Sequence, residues 1–262
     1  MYTIEFRDQV RSRVLVLAEG DPRVTAGALT GSTALGAGDQ WSDVDVAFGI
    51  AEGNSLDTVI DDWTRVLDQE FGVISHFDLQ TGSHADSALA GRKRVSRVLL
   101  LSTGLEVDVS LMPASEFGGY GPNFRTLFGT AEELDAPPQP AASYVIGLSW
   151  LHVSHARASI ERDKSWQAEY WISGLRDQIL TLACLRLGED ARFGRGWSRL
   201  PTGITDSLAG ALVRSLDIAE LRRALTVGTV CLIRELEQWD QQLCTQLVPL
   251  LQEFGGLAVQ MS

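Results

Sequence analysis

Residues 27 to 50 read GALTGSTALGAGDQWSDVDVAFGI. An apolar run ends at Gly31-Ser32. After a short spacer, Asp43-Val44-Asp45 opens a second apolar run. Successive side chains of a strand point to opposite faces, so Asp43 and Asp45 share one face and Val44 and Val46 the other. The two carboxylates then stand roughly 7 Å apart along the backbone, an arrangement that calls for a counter-charge. A hard divalent cation suits carboxylate oxygens.

A third carboxylate extends the pattern. Residues 105 to 111, LEVDVSL, alternate without a break, with Glu106, Asp108 and Ser110 on the polar side. If that strand lies beside the first, Asp108 joins Asp43 and Asp45. Three carboxylates hold one or two magnesium ions, and paired metals stabilise both oxygens of an in-line displacement. Gly31 and Ser32 would offer backbone N–H groups to phosphate, since glycine permits close approach and helix N-termini attract anions. Taken one at a time, the same residues also read as a turn cap, a solvated edge and an ordinary turn glycine.

The ordered set Gly31, Ser32, Asp43, Asp45 and Asp108 resembles the signature of the polymerase-β-like nucleotidyltransferases. Within that superfamily the chain looks like the two-domain bacterial enzymes that adenylylate antibiotics, the kanamycin and lincosamide nucleotidyltransferases. The signature covers about the first 112 residues, and the second half resembles those enzymes in general plan alone. The resemblance implies ATP and magnesium, AMP transfer to a hydroxyl of a small molecule, and release of pyrophosphate. It implies metal binding by Asp43, Asp45 and Asp108, with Asp108 as ligand, proton acceptor or both. Two other readings stand beside it: a component of a toxin–antitoxin or regulatory system that modifies a protein, and a catalytically silent nucleotide-binding module.

The periodicities predict an α/β fold in two parts. Residues 4 to 19 form a helix; 24 to 29, 42 to 50 and 73 to 79 form strands. Residues 56 to 71 form an amphipathic helix capped by Ser55 and stopped by Gly72. Residues 95 to 102 and 105 to 112 form a hairpin across a two-residue Thr103-Gly104 turn, and 113 to 129 are loop-rich. The sheet is mixed, with helices on one face. Ala136-Pro137-Pro138-Gln139-Pro140 marks a linker, giving a nucleotidyltransferase domain over 1–135, a linker over 136–142 and an all-α bundle over 143–262. The bundle helices are expected at 144 to 162, 165 to 187, 206 to 216 and 218 to 239, with a last one to about 254 and Asp217 as a possible N-cap.

Other candidates carry two readings each. Arg97 is placed either to reach a phosphate or to pair with a site carboxylate. Arg92-Lys93-Arg94 either steers triphosphate or is a solvated loop. His76 and Asp78 read first as a solvated strand face, then as a substrate-proximal pair. His152 and His155 read first as packing, then as metal ligands. Glu169, Tyr170, Ser173, Arg176 and Asp177 cluster within two turns of one helix, where they either meet solvent or hold nucleotide or acceptor. Arg192, Arg195 and Arg199, in a glycine-punctuated loop, are candidates to cover a triphosphate.

Composition narrows the class. The 262 residues are 45% apolar and 21% charged, with a net charge of −12. Neither half is basic, which argues against nucleic acid as the main partner. No apolar run of about 18 residues exists, so no membrane span is expected. The opening MYTIEFRDQVRSR lacks the apolar region of a signal peptide. Cys184, Cys231 and Cys244 are odd in number and widely spaced, as buried helix residues of a reducing, cytoplasmic setting would be. The oligomeric state is not encoded in any of these features.

Overall fold

The computed structural model describes residues 2–79, 93–239 and 241–257. The chain divides into two compact units, Met1–Pro138 and Gln139–Ser262.

In the first unit the elements run α1 (Ile4–Gly20), β1 (Val24–Thr30), the one-turn helix α2 (Gly31–Ala34), β2 (Val44–Ile50), α3 (Leu56–Phe71), β3 (Val73–Asp78), β4 (Val95–Leu101) and β5 (Glu106–Pro113). The short strands β6 (Gly118–Gly119), β7 (Phe124–Phe128) and β8 (Glu132–Glu133) follow. Six strands form a mixed sheet in the order β3-β4-β5-β2-β1-β7, in which β2 and β5 are parallel and the other neighbours antiparallel. Parallel neighbours need a long crossover. Here it consists of α3 and the β3–β4 pair.

One face of the sheet buries the main core. Val44, Val46, Phe48 and Ile50 of β2 and Val107, Val109 and Leu111 of β5 pack against Val10 and Val14 of α1 and Val59, Ile60, Trp63 and Leu67 of α3. Phe48 meets Trp63 edge-on, with ring centroids 5.2 Å apart. The capping reading of α3 holds: the Ser55 side chain accepts from the Thr58 N–H, and Gly72 ends the helix at φ 69°. The opposite face carries a small cluster of Ala26, Ala28, Ala47, Met112 and Phe117 at one end. It carries the carboxylates at the other.

Two sequence expectations change. The segment expected as loop contains β7, which pairs with β1 and places the Phe128 ring against Gly27, where a Cβ would stand 2.5 Å from Cε1. The hairpin is not closed by two residues. Leu101 N–H donates to the Leu105 carbonyl, leaving Ser102, Thr103 and Gly104 as a three-residue loop with Gly104 at φ 84°, a recognised alternative that ends in a left-handed residue. A two-residue turn would set Arg97 opposite Ser110. The observed register sets it opposite Val109. Slipping one residue turns every side chain to the other face, so Arg97 lies on the helix side.

There Arg97 is 6% exposed. Its guanidinium donates to Asp78 at 2.6 and 2.9 Å and to Asp61 at 2.7 Å. Arg97 draws the Asp78 carboxyl below its ordinary range. The phosphate-binding reading of Arg97 is therefore corrected: it clamps β3 and α3 from the face opposite the carboxylates. Asp78, and with it His76, faces this side too, so the pair is not near the carboxylates.

The second unit contains α4 (Ala142–Glu161), α5 (Ser165–Leu187), α6 (Thr202–Ala209), α7 (Ile218–Leu236) and α8 (Gln241–Phe254). Val153, Ile160, Ile172, Leu175, Ile179, Leu225 and Leu232 are among its buried core. Gly188 ends α5 in the left-handed region at φ 74°. The helix expected at 206 to 216 instead starts after Pro201 and stops at Ala209, ahead of Gly210, because proline favours the first turn and glycine the end. Asp217 stands at the start of α7, but its side chain accepts from Ser215 Oγ and not from the helix. Cys184 and Cys244 are buried, and Cys231 is half-buried. Among the described residues no helix is long and apolar enough to cross a membrane.

Replacing Arg97 by Ala leaves a void at a buried position and two carboxylates without their partner. The unfolding free energy is expected to fall by roughly 1–3 kcal/mol, read by chemical denaturation. An unchanged midpoint would contradict the clamp.

Candidate active site

The site begins at the turn between β1 and α2. Gly31 has φ 61°, and a Cβ there would fall on Asp45 Oδ2 and stand 2.9 Å from Asp45 Cγ. Only glycine fits, both for its backbone and for the carboxylate against it. Ser32 Oγ donates to Ser42 Oγ at 3.2 Å. Ser42 is in turn tied to Asp39 through its hydroxyl, 3.1 Å from Asp39 Oδ1 and 2.9 Å from the Asp39 N–H. The Asp39 carbonyl accepts from Arg7, which is buried. The turn and the segment leading into β2 are thus fastened together.

Asp43 directly precedes β2, and Asp45 lies within it. The parallel register pairs Asp45 with Asp108, which sets their Cα atoms on neighbouring strands about 4.8 Å apart. Burial pushes the Asp45 carboxyl up to about 7, helped by the charge of Asp43, a hydrogen bond with Asp43, and the charges of Asp108 and Glu106. Burial likewise raises Asp108 to about 6, with Arg94 opposing and Asp43 and Glu106 reinforcing. Asp108 Oδ1 is buried without a hydrogen-bond partner. Beside these, Ser96 and Ser110 share a hydrogen bond at 2.6 Å on the same face.

The donor set fits a magnesium ion in its chemistry: carboxylate oxygens, one of them buried and unpartnered, with protons favoured where a cation would otherwise sit. It is not a closed cage. Among the described residues no three His, Cys, Asp or Glu side chains converge in ligand geometry.

The structure thus gathers Gly31, Ser32, Asp43, Asp45 and Asp108, and leaves Arg97 out. It adds Arg94, whose charge acts on Asp108. Counting back by twos from Ser96 puts Arg94 on the carboxylate side, a signal that treating residues 92 to 94 as one cluster obscured. Arg92 lies outside the described residues.

The remaining candidates belong to the second unit. On α5, Glu169 Oε1 accepts from Ser173 Oγ at 2.5 Å, and Arg176 donates to Ser173 Oγ at 2.8 Å and to the Ala211 carbonyl at 3.2 Å. Tyr170 is exposed and meets Trp171 edge-on, with centroids 5.0 Å apart. His152 and His155 pack on the same Trp171 at 5.2 and 4.7 Å, in keeping with the packing reading. Burial pushes Asp177 up and His152 down. Arg195 lies over the Phe193 ring at 5.2 Å. Arg192 and Arg199 pair with Asp190 and Glu189.

No protein-family model matches the chain, and no curated protein matches it in sequence. Among solved structures, an aminoglycoside 6-adenyltransferase from Bacillus subtilis is similar with a TM-score of 0.41 and 11% identity, over 92% of this chain and 95% of that one.

The raised Asp45 carboxyl has a consequence for stability. Its contribution is fully present below the unfolded-state value near 4 and is lost as pH rises through about 7. Asp45→Asn removes that loss. In chelator, the variant is expected to exceed the parent by on the order of 1–2 kcal/mol at pH 8, with the gap shrinking toward pH 5. Thermal unfolding at the two pH values reads it, and a gap independent of pH would contradict the charge crowding.

Proposed function

We infer that the chain is a magnesium-dependent nucleotidyltransferase that moves AMP from ATP to a hydroxyl of a small molecule and releases pyrophosphate. The observation that carries this reading is Asp45 in register with Asp108, with Gly31 closed against the Asp45 carboxylate. Two half-buried carboxylates beside a glycine-serine turn suit a cation and a phosphate chain together.

Asp43, Asp45 and Asp108 would hold the metal, which when bound supplies charge neutralisation and polarises the phosphoryl oxygens. Ser32 and the N–H groups beside it hold the terminal phosphates. The acceptor oxygen bonds to the α-phosphorus, and the bond from that phosphorus to the bridging oxygen breaks, with its electron pair leaving on pyrophosphate. Asp108 takes the hydroxyl proton, its Oδ1 being buried without a hydrogen-bond partner.

The acceptor we assign is a hydroxylated, amine-bearing molecule of the aminoglycoside or lincosamide kind. A net charge of −12 favours cations.

The test is label transfer from α-labelled ATP in magnesium across aminoglycosides, lincosamides, neutral polyols, protein and nucleic-acid ends. Label on the amine-bearing polyols is expected, and label confined to protein or nucleic acid would overturn the acceptor class. Asp108→Asn is expected to lower turnover by about 100-fold or more, while nucleotide affinity falls less than in Asp45→Asn. Equal losses of affinity would reduce Asp108 to a ligand.

A further inference from the structure

Trp41 stands in the segment between the glycine-serine turn and Asp43, and its side chain is 68% exposed. A single exposed apolar residue needs no explanation by itself. What sets Trp41 apart is the backbone that presents it. Its N–H donates to Asp39 Oδ1 at 2.9 Å. The next residue, Ser42, is bonded to Asp39 and to Ser32, and Arg7 anchors the Asp39 carbonyl from below. A large flat ring is therefore held in the open on a fastened segment.

We propose that Trp41 is the base-stacking residue of the nucleotide site, its indole lying against the nucleobase of the triphosphate. This rests on the nucleotidyl-transfer reading above. The groups on either side of Trp41 in the chain, Ser32 and Asp43, are the ones assigned to the phosphates and their cation. Two residues of backbone span at most about 7 Å, within the reach of a ribose and base from its α-phosphate. The sheet order sets the strand of Asp108 apart from the strand that leads into this segment. Asp108 lies on β5, to one side of β2, and the segment holding Trp41 comes from β1 and α2, on the other. The acceptor hydroxyl must lie by Asp108, so the segment that runs from Ser32 through Trp41 into Asp43 is assigned to the nucleotide. Aromatic stacking accepts every base, so Trp41 raises affinity without choosing among nucleotides.

Calorimetric titration of the full chain in magnesium separates base from phosphate. ATP and inorganic triphosphate are each titrated into the parent, Trp41→Ala and Trp41→Phe. Trp41→Ala is expected to weaken ATP about tenfold, the size of a base–aromatic stack, and to leave inorganic triphosphate unchanged. GTP and CTP follow ATP, and Trp41→Phe retains most of the affinity. Equal weakening of ATP and inorganic triphosphate would show that Trp41 acts only through its segment, and would overturn the proposal. Unchanged ATP binding in Trp41→Ala, with a parent that binds ATP, overturns it alone. A parent that binds neither ligand overturns the nucleotidyl-transfer reading and the stacking role with it. Because the side chain is exposed, the unfolding midpoint of Trp41→Ala stays that of the parent.

Discussion

Asp45 and Asp108 stand side by side across a parallel strand pair, where burial foremost, and the charges of Asp43 and Glu106, disfavour their charged forms. Much of the first unit follows from that placement. Parallel neighbours cannot be joined by a tight turn, so the chain leaves β2, runs through α3, and returns by β3 and β4 to reach β5. The excursion buries α3 on one face of the sheet and leaves the carboxylates on the other. The apolar halves of β2 and β5 supply the core that tolerates the strain of their polar halves.

The same logic separates the two arginines of β4 and its approach. Arg97 is buried on the helix side with Asp78 and Asp61, where its full charge is matched by hydrogen bonds. Arg94 precedes the strand on the opposite side and acts on Asp108. One is a clamp of the fold and the other part of the electrostatics of the site, although only two residues separate them. The glycine-serine turn shows a similar economy: Gly31 leaves room for a carboxylate, and Ser32 ties the turn to the segment that carries Trp41 into Asp43.

The second unit has its own core and its own polar features. Glu169, Ser173 and Arg176 bond to one another along α5, and Trp171 gathers His152, His155 and Tyr170. A charged helix face that satisfies itself in this way is held by hydrogen bonds within its own helix.

By itself the sequence determined which residues alternate and which recur at helical spacing. That sufficed for β2, for β5 and for α3 with its Ser55 cap and Gly72 stop, because burial on one face leaves its period in the chain. It sufficed also to nominate Asp43, Asp45 and Asp108, since carboxylates amid apolar strands stand out. It did not reach β7, whose five residues are too few to show a period between glycine-rich flanks. Nor did it reach the end of α6, where Gly210 intervenes. The face of Arg97 was decided by tertiary structure alone. A two-residue and a three-residue loop at Ser102 to Gly104 are both compatible with the local residues, yet they send Arg97 to opposite sides of the sheet. Parity along one strand is local. Register between strands is set by which pairing buries Leu99 and Leu101 of β4 beside Val107 and Val109 against the helices, a contest settled by the whole core.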